Sequence, residues 1–285
     1  MPDNSPSPTD RNRSVIAPVI VGGVVLALLA AAFLSQRQPE PPKPAPATET
    51  PVADPPPPPI AAPPPLNRRD IAAAAALQAA DYAAGTTPAG KDALIGRRFS
   101  LRVPFGCDGP QIGAGAAQAY FEFDPTKRTL KLAARPGDWK SLPMIQALAQ
   151  AAKVEKAEGF WLPRPWNYSE ACPVRREAPV PANPTPAAGP TLGLVQRFDV
   201  DGSRVMRRDG RPYEFVRKIT DAEVAPLTGS YRLLLEGRVT GFANGRAAAC
   251  WSESPNHRPI CVLGVTYDQV AFEDESGKLL AEWKE

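Results

Sequence analysis

Between Ser14 and Leu34 the chain reads SVIAPVIVGGVVLALLAAAFL, and from Val15 onward twenty residues pass without a charge or an amide side chain. A helix of that length rises about 30 Å, the hydrocarbon thickness of a bilayer. The stretch predicts one membrane span over residues 14–34, which leaves a short tail (1–13) on one side and the rest of the chain on the other. Basic residues alone do not orient it, because Arg11 and Arg13 precede the span while Arg37 and Lys43 lie beyond it. The four cysteines decide the matter. Outside the cytosol they can pair, whereas inside they would be thiols without metal-ligand spacing. The expected topology is N-in, C-out.

A cleaved signal peptide is the rival reading, with Ala30-Ala31-Ala32 as its cleavage site. The apolar run is longer than a signal core and continues through Phe33 and Leu34, so a retained anchor is expected. Gly23, Ala27 and Ala31 fall at small-xxx-small spacing on one stripe, and the secondary expectation is a weak homodimer through the span.

Proline punctuates the chain beyond the span. Of 36 prolines most sit in two blocks, which mark linkers rather than a core. Residues 35–66 form the first, with five consecutive prolines at Pro55 to Pro59. Polyproline II rises about 3.1 Å per residue, so this spacer reaches roughly 100 Å when extended. Residues 178–191 form the second, APVPANPTPAAGPT, read as a linker or long loop. It separates a first α+β lobe (67–177) from a second β-rich lobe (192–285). Richness in Ala, Pro, Arg and Gly points to a high-GC bacterial source, so the expected location is the inner membrane with the C-terminal part in the periplasm. The net charge of +3 and the absence of a basic stripe with interleaved aromatics give no argument for nucleic acid.

In the first lobe Asn67 reads as a cap for a helix over RRDIAAAAALQAADYAAG, closed by Gly85 and docked through Ile71, Leu77 and Tyr82. Leu94 to Val103 alternates as a half-buried strand. Ala119 to Phe123 and Thr129 to Ala133 form a hairpin across Asp124–Arg128, and Pro143 to Glu158 reads as a second helix. In the second lobe strands are expected at Leu192–Val200, Arg204–Arg208, Tyr213–Ile219, Tyr231–Val239, Ala247–Ser252, Ile260–Tyr267, Val270–Glu273 and Leu279–Trp283. The expected fold class is α+β and β-rich: short antiparallel strands in a small barrel or sandwich, with one or two helices.

Cys107 and Cys172 precede the second proline block, and Cys250 and Cys261 come after it. Of three pairings only Cys107–Cys172 with Cys250–Cys261 keeps each half self-contained, and that pairing is predicted. With no Cys-x-x-Cys and a single histidine, His257, in a polar loop, no metal or cofactor is expected. Gly-x-Ser-x-Gly, Ser-x-x-Lys and His-Glu-x-x-His signatures are missing, and no glycine-rich loop follows a strand. No catalytic residue is assigned. Phe160, Trp161, Trp166 and Tyr168 are the candidate lining of a ligand groove, since flat amphipathic rings bind sugars and extended peptides.

The layout of short tail, span, proline spacer and outer β-rich part resembles envelope-spanning tethers such as TonB-type or secretion-system inner-membrane components. The likeness covers the first 66 residues. A non-enzymatic binding or assembly component with an envelope protein partner is therefore expected; the alternative is a carboxylate-based hydrolase of cell-wall polymer or peptide.

Overall fold

The computed structural model describes residues 62–111, 118–149, 153–174, 189, 191–220 and 230–285. The tail, the 14–34 span, the spacer up to residue 61 and most of the second proline block lie outside the described residues. Among those described, no helix is long and apolar enough to cross a membrane.

The first helix, α1 (Arg68–Ala83), begins where its sequence says it should. The Asn67 side chain accepts from the amides of Arg69 and Asp70 at 2.9 and 3.1 Å, and the Asp70 carboxylate accepts from the Asn67 amide at 2.9 Å, a complete capping box. Gly85, at φ +65°, turns the chain away after it. Beyond it come β1 (Arg98–Phe105), β2 (Ala119–Asp124), β3 (Thr129–Ala134), β4 (Gly137–Asp138), α2 (Pro143–Ala149), β5 (Val154–Trp161), β6 (Leu192–Asp199), β7 (Tyr213–Lys218), β8 (Tyr231–Val239), β9 (Ala248–Trp251), β10 (Ile260–Glu273) and β11 (Leu279–Lys284).

β10 is the spine. Its first residues pair with β9 on one side and, in parallel, with β6 on the other; its later residues pair with β8 and β11. β1 extends this mixed sheet beyond β8, and β5 and β4 extend it beyond β6. β2, β3 and β7 make a small antiparallel sheet. Inward residues of both sheets, among them Phe99, Leu101, Leu132, Phe121, Leu235 and Phe272, meet in one core that α1 caps with Ile71, Ala72 and Ala75. On the other face of β5, β6, β9 and β10 a second cluster packs Trp139, Met144 and Ile145 against Val195, Ala249 and Val262. Trp139 can lie there because its floor includes Gly159, where a Cβ would come within 2.5 Å of the ring. Residues 60–285 group as one unit, and strands from before and after the second proline block share both sheets.

Four local expectations are corrected. The sheet is mixed rather than wholly antiparallel, through the parallel β6–β10 pair. The second helix ends at Ala149, and residues 154–158 belong to β5, whose pairing with β6 overrides their helical propensity. Arg204 to Arg208 is not a strand: this stretch turns, with Met206 at φ +64°, and the Arg208 amide is held from below by the buried Glu158. Ile260–Tyr267 and Val270–Glu273 are one continuous strand, β10, with a bulge at Asp268.

Tyr213, buried in the core, donates to the Met206 carbonyl at 3.2 Å and carries the Arg208 guanidinium over its ring at 4.5 Å. Burial pushes its hydroxyl up to about 12, and burial likewise raises that of Tyr267. A raised folded value means that the neutral form is the one the fold favours. This stability is complete below pH 10 and is lost as pH climbs to about 12. For Tyr213 the unfolding free energy is therefore expected to fall by about 2–3 kcal/mol across that window. Stability measured from pH 9 to 12 checks it, with Tyr213→Phe flattening the slope.

Candidate binding surface

The described residues hold no group of three or more His, Cys, Asp or Glu side chains placed to hold a metal. The two most buried acids both serve the fold. Glu158 accepts from the amides of Arg208 and Asp209 at 2.7 and 2.8 Å, and Glu273 takes a two-point contact from Arg102 at 2.8 and 3.1 Å. His257 stays in its exposed loop, its Nδ1 2.9 Å from Ser254 Oγ.

What the fold does build is a surface around α1. Arg68, only 3 % exposed, reaches under the helix into the loop after β5: Nε donates to the Asn167 carbonyl at 2.7 Å, and Nη2 donates to the carbonyls of Pro163 and, at 3.2 Å, Arg164. Burial lowers the pKa of this guanidinium, and the neighbouring Arg164 adds to the shift; three carbonyl dipoles stand in for a counter-ion. The same loop is fixed at its end by the Cys107–Cys172 disulfide and within by Ser169 N donating to Asn167 Oδ1 at 3.0 Å. Trp166 (61 % exposed) and Tyr168 (47 %) are thus presented on a held scaffold, with Arg69 stacked over Tyr168 at 5.4 Å. Together with Ala72, Ala76 and Ala79 of α1 and with Arg258 they line a shallow groove of about 160 Å³.

A larger groove of about 380 Å³ runs along the other flank of α1. Gln78, Asp81 and Tyr82 form its α1 wall, Pro143, Met144, Ala147 and Leu148 of α2 the opposite wall, and β9 lies between them. On the outer face of α1, Leu77 is 63 % exposed and Tyr82 is 42 % exposed. Leu77 does not dock the helix, and Tyr82 reaches the end of β9 through its hydroxyl, which accepts from the Ser252 amide at 3.4 Å; the buried face is Arg68, Ile71, Ala72 and Ala75, whose alanines let the backbone approach closely.

The four aromatic residues singled out in the sequence separate. Phe160 is 2 % exposed and packs edge-on to Tyr267 in the core. Trp161 is half-buried against Trp139, ring centroids 4.2 Å apart. Trp166 and Tyr168 line the shallow groove beside α1. Sequence reasoning missed the contributions of α1 and β9; the one signal for them was an alanine-rich helix next to aromatics near Cys172. The cysteines pair as Cys107–Cys172 and Cys250–Cys261, as the sequence predicts. Comparisons with protein-family models, with curated proteins and with solved structures find no match to this chain.

Proposed function

We propose that the chain is a single-pass protein of a bacterial inner membrane, with its disulfide-bonded unit in the periplasm, and that it works by binding an envelope protein partner rather than by catalysis. The observation that carries this reading is the clustering of exposed apolar side chains around α1. Leu77, Tyr82, Trp166 and Tyr168 are four of the large apolar residues that the described chain exposes, and they flank one helix on a scaffold fixed by Arg68 and a disulfide. Such patches mark interaction sites when they are contiguous. Supporting it are the apolar stretch at 14–34, the polyproline spacer, which sets the reach of the unit from the membrane, and two disulfides, which call for an oxidising compartment.

Photo-crosslinking in living cells tests this. With a photoreactive residue in place of Leu77 or Trp166, discrete adducts with an envelope protein are expected. The same residue at Val216, exposed on β7, is expected to give none. Equal adducts at all three positions, or none at Leu77 and Trp166, would remove the α1 surface as the docking site.

A further inference from the structure

Among the described strands β9 pairs with β10 alone, so no described strand lies along its other edge. The ladder fixes which main-chain groups face that edge. The Gly264 amide donates to the Ala247 carbonyl at 2.9 Å, while the Cys261 amide points the other way, to the Thr191 carbonyl at 3.0 Å. Alternation along an antiparallel pair turns the amides and carbonyls of Ala249 and Trp251 toward β10, and those of Ala248 and Cys250 outward. The next outward amide, Ser252, donates to the Tyr82 hydroxyl at 3.4 Å, which places the edge beside the α1 wall. The outward groups of Ala248 and Cys250 have no partner among the described residues, although Ala248 is 6 % exposed. Buried main-chain groups are nearly always paired in a working protein.

This edge is the floor of the 380 Å³ groove; the α2 wall is apolar, with Pro143, Met144, Ala147 and Leu148, and the α1 wall sets Tyr82 beside the polar Gln78 and Asp81. Its charged lining residues are Asp81 and Arg246, and Arg246 already faces Asp92 at 3.7 Å. We infer that the groove is a peptide site, and that its occupant is an extended, uncharged, apolar segment of the envelope partner that adds as a strand to β9. The site deepens the binding role proposed for this unit and rests on it. A strand brings donors and acceptors at the spacing of Ala248 and Cys250 and sends alternate side chains toward the α1 and α2 walls. A docked helix has its main-chain groups already paired and cannot complete that ladder.

Random linear dodecapeptides displayed on phage, selected against the full-length protein in detergent, supply the probe. Enriched peptides are then synthesised with single N-methyl groups stepped along the backbone. Apolar sequences are expected, with affinity falling about tenfold at alternate positions and little at those between. Binding should fall by a similar factor against Ala147→Glu, an exposed position on α2 whose change leaves both cores intact. Ala248→Pro removes an outward donor while sparing the ladder to β10, and should weaken binding likewise. A library without binders, or binders indifferent to Ala147→Glu or to the methylation pattern, overturns the strand site. Those results leave crosslinks at Leu77 and Trp166 standing, because neither residue lines this groove; silent crosslinks with strand-like binders would remove the outer α1 surface and keep the peptide site.

Discussion

Gly237→Ala is expected to cost the folded unit about 3 kcal/mol or more, the upper end of what overpacking does. Gly237 lies in β8 opposite Tyr267, immediately beside the bulge at Asp268. A Cβ there would press into the Thr266 carbonyl oxygen and stand 3.0 Å from both the Thr266 carbonyl carbon and the Tyr267 Cα. Every one of these atoms is backbone of β10, so no rotamer change relieves the clash. The spine strand itself would have to shift, and with it four neighbouring strands. Gly202→Ala is the control: its Cβ would meet Asp199 at 3.3–3.5 Å, a fit that costs a few tenths at most. Thermal unfolding of the two variants in detergent, followed by tryptophan fluorescence, measures the difference. Equal midpoints would show that β8 and β10 are not held as described.

Removing the disulfides is the second large effect, and the two bonds should differ. Cys107–Cys172 closes 65 residues and Cys250–Cys261 closes 11. On the chain-entropy model the first contributes about 4 kcal/mol and the second about 3. Their consequences in the native state differ more than these figures. Cys250 and Cys261 face each other across a ladder that other hydrogen bonds already hold, so Cys250→Ala with Cys261→Ala lowers stability and leaves the surface in place. Cys107–Cys172 fixes the loop that presents Trp166 and Tyr168. Cys107→Ala with Cys172→Ala should therefore lower stability further and also abolish crosslinks at Trp166 while sparing those at Leu77. Unfolding midpoints and crosslink yields of the two double variants read both effects; a larger loss from the Cys250–Cys261 pair would contradict the assignment.

Where local chemistry decides, the sequence is readable. Asn67 and Asp70 around a run of alanines specify a capped helix, Asp124 to Arg128 a hairpin turn, and the proline block between two pairs of cysteines the disulfide pairing. Where a distant strand decides, it is not. Residues 154–158, VEKAE, carry helical propensity, and only the presence of β6 beside them makes a strand. Among the described residues no helix lies between β6 and β10 to announce their parallel pairing. That no described strand lies along the outer edge of β9 depends on distant strands, and no local pattern encodes that. Composition likewise does not tell that Leu77 faces outward while alanines dock α1.

The proposed role requires the disulfide-bonded unit to lie outside the cytosol, and thiol accessibility in cells tests that most directly. A membrane-impermeant maleimide is applied to cells with a permeabilised outer membrane, before and after reduction. Labelling of Cys107, Cys172, Cys250 and Cys261 that requires reductant but not lysis is the predicted result. Labelling that requires lysis but not reductant would place the unit in the cytosol with free thiols, and would contradict the topology, the disulfides and the proposed function together.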